Sequence, residues 1–299
     1  FSSRIGLSFM NAATDWLRKI ACLVALVLTT RVHGEAEPLL ATAVSPLDLV
    51  PESVALCLEI PHPQNTIQTF LVSRLAERVK AYPPAQRFLQ GSGFQQLMTV
   101  DHAVAGAAGK PLRELLLQAC SESLVVAVSL PDNGKPQGVL IAQSRDMASL
   151  QQTLDAWNKL DPKHVDETRL YLGHSYTLRK KSPKSNDVLY LAKLGRLIVL
   201  SDQEPPVKVA IELYESATKG RQSRGDKFNG RLSIKHSHQF LAARKRLTAN
   251  SAAYLHIPVR NWDNAIRAGL KSDPSATPFA ETSKHIEVLS ASVRIDDAI

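Results

Sequence analysis

The stretch TRLYLGHSYTLRKKSPKSNDVLYLAKLGRLIVLS, residues 168–201, contains four short runs: Leu170 to Gly173, Tyr176 to Arg179, Val188 to Lys193 and Arg196 to Leu200. Each run has the length and the apolar, aromatic or alternating composition of a strand, and turn residues separate them. They predict an antiparallel meander. After them, Pro205 and Pro206 stand where a helix begins without needing their missing amide hydrogens, and Val209, Ile211, Leu213 and Tyr214 continue that helix. Before them, Asp146 is placed to cap a helix whose buried side is Leu150, Leu154 and Trp157. Earlier still, Ser123 to Leu130 and Gly138 to Ser144 flank Pro131-Asp132-Asn133-Gly134, which suits a tight hairpin reversal.

The N-terminal part continues this alternation of strands and helices. Val54, Leu56, Leu58 and Ile60 alternate with Ala55, Cys57 and Glu59, the period of a strand with one face in the core. Ile67, Phe70, Leu71, Leu75 and Val79 give one helix an apolar stripe, and Pro83 and Pro84 are predicted to stop it. Residues 85–119 read as further helix, interrupted at Gly91, Gly93 and Gly109-Lys110-Pro111. Antiparallel runs interrupted by helices predict an α+β fold, mainly antiparallel sheet with helices packed on it.

Composition sets wider limits. With 299 residues, 44% hydrophobic and 21% charged, the chain is neither collagen-like nor a long coiled coil, and its length suits one large domain or two small ones. Only one apolar run tempts a membrane reading, which excludes a polytopic transporter.

That run lies in the first 34 residues. Phe1 to Phe9 precede Met10 and are set aside. From Met10 a polar stretch ends in Arg18 and Lys19, followed by an apolar run from Ile20 to Thr30, Val32-His33-Gly34 and the acidic Glu35-Ala36-Glu37, the layout of a secretory signal peptide. Arg31 stops the run well short of the ~20 apolar residues a spanning helix needs. The address expected is therefore the periplasm, cell envelope or exterior, with no transmembrane anchor after cleavage. Cleavage after Gly34 takes Arg4, Arg18, Lys19, Arg31 and Asp15 from a chain of 36 bases and 28 acids, so the mature net charge is +5. It also removes Cys22 and leaves Cys57 and Cys120, which either form a disulfide in the oxidising compartment or serve as small buried side chains.

Residues 35–49 read as a tether and 50–246 as an α+β module. VALCLEIP, residues 54–61, recurs as SAAYLHIP, residues 251–258, each copy a strand ending in Ile-Pro ahead of Asn65 or Asn261 as a helix cap. Downstream, His285 to Ile295 alternates as Ser123 to Leu130 does. The echo predicts a second, incomplete α+β module over 247–299 that continues past Ile299, since so short a segment is less than a core usually needs. PESVA at 51–55, RLIVLSD at 196–202 and ANSAAYLHI at 249–257 together resemble a bacterial exported family of unknown function, built as a signal peptide followed by a duplicated α+β module. The resemblance spans most of residues 49–299 and implies no catalytic residues.

Motifs of established chemistry fail on inspection. Leu172-Gly173-His174-Ser175-Tyr176-Thr177 puts Thr177 where a nucleophile elbow needs its second glycine, and a basic strand follows where a helix should open. Gly106-Ala107-Ala108-Gly109-Lys110 has Val104 in place of a phosphate loop's first glycine and Pro111 in place of its metal-binding hydroxyl. His236 and His238 would share a face if extended, but Arg231 and Lys235 repel a cation, so no metal site is assigned. Arg224-Gly225-Asp226 receives no role. Adjacent acids such as Asp166 and Glu167 point to opposite sides of a strand and do not make a glycosidase pair. No catalytic residue, metal or cofactor is assigned, and the reading leans against an enzyme.

Charge supplies the remaining candidate. Between Lys219 and Arg246 lie nine bases and one acid, Asp226. The anion-binding candidates are Lys219, Arg221, Arg224, Lys227, Arg231, Arg244, Lys245 and Arg246, together with Arg179, Lys180 and Lys181 from a second cluster that also includes Lys184. Concentrated charge attracts a polyanion even when the whole chain is mildly basic. After export the compatible partners are anionic lipid, acidic polysaccharide or an acidic protein face. With Phe228 and Phe240 the only aromatics nearby, nucleic acid fits poorly. The leading expectation is a non-catalytic envelope interaction or scaffold module. The alternatives are an exported hydrolase whose site forms only in three dimensions, and a nucleic-acid binder if the leader is retained.

Overall fold

The structure, a computed structural model, describes residues 44–131, 135–160, 164–185, 187–219, 232–264, 266–267 and 277–295. The signal-peptide reading therefore lies outside the described residues. Nine strands form one antiparallel sheet: β1 Leu56–Pro61, β2 Ser123–Ser129, β3 Gln137–Gln143, β4 Val165–Tyr171, β5 His174–Lys180, β6 Val188–Leu194, β7 Leu197–Ser201, β8 Ala253–Pro258 and β9 Val288–Val293, in spatial order β4-β5-β6-β7-β3-β2-β1-β8-β9. The helices are α1 Pro63–Val72, α2 Arg74–Ala81, α3 Pro83–Gln90, α4 Ser92–Ala108, α5 Leu112–Ala119, α6 Met147–Leu160, α7 Glu204–Lys219, α8 His238–Arg246 and α9 Thr277–Ser283. This is the α+β arrangement the sequence predicts.

The sheet is a central layer with helices on both faces. On one face Val125, Ala127, Ile141 and Val199 pack beneath Val207 and Ile211 of α7, Phe240 of α8 and Leu49 and Val50 beside the 3-10 turn Pro46–Leu49. On the other, Ile198 meets Ala119 of α5 and Leu150 of α6, while Val104 of α4 packs on Leu115 of α5 and Ala156 of α6. Residues from Ser123 to Ala127 in β2 are all buried, as a continuous apolar run must be when both faces of its strand are covered.

Local chemistry sets the turns. Leu172 and Gly173 both have positive φ, 49° and 81°, so the β4–β5 connection is a hairpin turn of the type whose twist matches antiparallel strands. Gly109, at φ 74°, ends α4 and donates its N–H to Ala105. Asp146 accepts the Ser149 amide at 2.7 Å at the start of α6.

Several expectations need correction. The single helix predicted across residues 67–79 is two. Ser73 leaves the helical region with ψ 153°, ends α1, and caps α2 by accepting the Ala76 amide at 3.3 Å. Pro83 and Pro84 do not merely stop a helix but begin α3. The predicted tether is partly folded: Val44 is buried, and Leu49 is wholly inside the core. Cys57 and Cys120 are free thiols. Cys57 packs with Val125 and Ala127, whereas Cys120 packs with Leu124 and Ala142 on the opposite face of the sheet, so the sheet itself separates the two sulfurs.

The echo segments become β1 and β8, and they are neighbours. Cys57 pairs with His256, Leu58 with Leu255 and Glu59 with Tyr254. Leu58 and Leu255 are the corresponding residues of the two copies, so a local two-fold axis passes between them. It relates β2, outside β1, to β9, outside β8. The strand ladder thus runs through the boundary expected near residue 247.

Candidate functional site

The described basic candidates are dispersed by the fold. Five strand spacings of about 4.8 Å separate β5, carrying Arg179 and Lys180, from β1 beneath α8. Arg179 is a clamp rather than a free cation. Its Nε and Nη2 donate to the two oxygens of Asp166 at 2.9 and 2.7 Å, Nη2 also reaches Asn158, and the guanidinium lies 5.2 Å from the Trp157 ring centroid. The guanidinium holds the Asp166 carboxyl below its ordinary range.

Arg244 is engaged in the same way. It donates from Nη1 to Glu59 at 2.7 Å and lies over the Tyr254 ring, joining α8 to β1 and β8. Burial raises the Glu59 carboxyl, and Arg244 opposes that rise. Lys219 pairs with Glu215 within α7. Arg221, Arg224, Lys227 and Arg231 lie outside the described residues. Lys245 and Arg246 are exposed in the last turn of α8, and Lys181 is exposed beyond the end of β5. None of these three, nor half-buried Lys180, forms a salt bridge with a described residue.

A cleft of about 930 Å³ opens at the end of the sheet where β2 finishes and β3 and α7 begin. Pro51, Pro131, Pro205, Pro206 and Pro258 line it, which leaves its wall short of backbone donors. Three of its polar side chains, His256, Arg260 and Asn261, are held within the fold. His256 is bonded through Nδ1 to Ser290 Oγ at 3.0 Å and meets Phe240 edge-on, and burial lowers its pKa and so favours the neutral ring. Asn261 gives its amide to the carbonyls of Glu52 and Val54, and Arg260 pairs with Glu287. Asn261 thus ties the start of the echo's second helical region to the segment leading into β1 rather than capping its own helix.

The hydrolase alternative finds no support at residues 174 and 175. His174 points toward α7, where Nε2 is 2.6 Å from Glu215 Oε1, while Ser175 is the next residue of the same strand, exposed on the other face. The His236 and His238 stretch is a 3-10 turn followed by the first residue of α8, not the extended segment that would align two ligands. Gly109-Lys110 closes α4, and Lys110 lies 3.6 Å from Glu114.

Sequence reasoning missed two features: the proline-lined cleft and the place of β9 as the last strand of the described sheet. The alternation from His285 to Ile295 marked the strand but not its position at the sheet's rim. Comparison with family models, curated proteins and solved structures found no match.

Proposed function

We propose that the chain is an exported, non-catalytic interaction module that holds an anionic lipid or acidic polysaccharide surface through exposed cationic side chains. One contrast carries the reading. Arg244 folds back onto Glu59 and Tyr254, whereas Lys245 and Arg246, next along the same helix, face solvent without a described counterion. Such cations interact with an external anion at little desolvation cost, and the interaction weakens with salt. Among the described residues no helix is long and apolar enough to cross a membrane, which suits a surface-held protein.

Cosedimentation with vesicles containing phosphatidylglycerol, run beside a heparin column, tests the proposal and separates lipid from polysaccharide. Binding to at least one at low salt, weakened about tenfold or more in Lys245→Glu/Arg246→Glu, is the expected result. No binding to either at low salt overturns it. Mass spectrometry of the native chain tests the export half: a start at Glu35 supports it, and retained Met10 overturns it.

A further inference from the structure

The ladder between β1 and β8 is the narrowest of the described sheet. Cys57, Leu58 and Glu59 of β1 pair with β8, whereas all six residues of β1 pair with β2. Side chains supplement it: Trp262 Nε1 donates to Ala55 O at 2.7 Å, and Arg244 of α8 bridges Glu59 on β1 and Tyr254 on β8. His256 stands opposite Cys57 in this ladder, 5% exposed, on the face that Phe240 of α8 covers. Cys57, Glu59, Arg244, Tyr254 and His256 share the wall of a void of about 10 Å³. On its other side His256 meets the cleft, where Glu52, His238 and Arg260 are the remaining ionisable groups and Arg260 is held by Glu287.

Glu59 is the carboxylate on this buried face, and Arg244 already engages it at 2.7 Å. A proton on His256 therefore puts a cation between the Phe240 ring and the Cys57 strand, across the void from Arg244, while the described partner of its Nδ1 is the neutral Ser290 hydroxyl. A charge held out of water without a counterion is unfavourable, whereas in a loosened ladder water solvates the imidazolium. We infer that this ladder is an acid-sensitive joint: protonation of His256 loosens β8 from β1 while the other ladders stay intact. Burial holds His256 below its ordinary 6.5, so between that value and the lower one the loosened form carries a proton that the closed form lacks. Closure weakens as pH falls through this window. Glu59 acts in the opposite sense: its closed-state carboxyl is raised above 4.5, so the closed form keeps that proton and the weakening is limited at lower pH. The joint is independent of the anion-binding reading.

Cys57, buried in the joint, is its reporter, and Cys120, on the opposite face beside Leu124 and Ala142, is the control. Dithiodipyridine labelling of the full chain is mapped to peptides by mass spectrometry, and each rate is divided by that of the urea-unfolded chain at the same pH, which gives the protection of each thiol. From about pH 7.5 to about pH 5.5 the protection of Cys57 should fall about tenfold, the factor by which a solvated imidazole gains its proton over that range, while that of Cys120 holds. His256→Gln, which takes up no proton, should abolish the fall with circular dichroism unchanged. His238→Gln, at the exposed start of α8, should leave the fall in place. Constant protection of Cys57 in the parent chain, an equal fall at Cys120, a fall that survives His256→Gln, or a fall lost in His238→Gln overturns the inference. The parent-chain and His238→Gln outcomes touch no buried residue, so they decide the matter even if His256→Gln fails to fold.

Discussion

The two rims of the sheet follow opposite designs. β4 carries Asp166, Glu167 and Arg169, with Arg179 and Glu204 drawing these charges into ion pairs over the edge. β9 has no charge between Val288 and Val293 and turns Leu289, Ala291 and Val293 outward. Charged side chains are a common guard against edge-to-edge pairing. The contrast teaches that charge on this protein is allocated by place: ion pairs gather over β4, whereas β9, last in the described sheet, has no charge from Val288 to Val293.

The sheet centre sets the scale for this comparison. Ile141→Ala, at a fully buried position shared by neither rim, should cost about 3 kcal/mol in urea unfolding. At the guarded rim, Arg179→Ala removes the Asp166 pair, the Asn158 bond and the Trp157 contact together, and a loss of about 2 kcal/mol is expected. Leu172 in the adjoining turn occupies a left-handed conformation that suits asparagine better, so Leu172→Asn should stabilise by about 0.5 kcal/mol or more. On β9, Leu289→Ser should change monomer stability by less than about 0.5 kcal/mol, because Leu289 is 51% exposed. If Leu289→Ser destabilises the monomer as much as Arg179→Ala, the two rims do not differ as described.

Acidification separates the regions by sign. Asp166 has a depressed folded-state pKa, so its contribution is complete above its ordinary value of 3.8 and is lost as pH falls through the lower folded value. Glu59 has a raised folded-state pKa. Between its ordinary 4.5 and that higher value, the folded chain holds a proton that the unfolded chain does not, so its contribution grows as pH falls through this window. Asp166→Asn should flatten the acid limb of stability against pH, and Glu59→Gln should remove the gain on the milder side.

Local pattern made the meander, the β2–β3 hairpin and the helix after Pro205 legible, because period, proline placement and turn chemistry are all written within a few residues. The break at Ser73 was not legible, since the apolar stripe continues across it and only the cap distinguishes two helices from one. Strand order was also hidden: β7 lies beside β3 and β8 beside β1 through pairings distant in sequence. The partners of two candidate bases were hidden for the same reason. Counting bases located Arg179 and Arg244, but the carboxylates that bind them, Asp166 and Glu59, belong to other elements. Repetition of the strand motif was visible, whereas its side-by-side pairing emerged only in three dimensions.

That pairing joins Leu58 to Leu255 across 197 positions of chain, whereas β8 and β9 are linked by a far shorter excursion. Closing so long a loop costs entropy and slows encounter, so the β8–β9 ribbon is expected to attach after the pairing of β2, β3 and β7. The same seam is the natural line along which the native state opens without global unfolding, and amide protons at the β1–β8 junction should exchange with solvent sooner than those of the interior ladder.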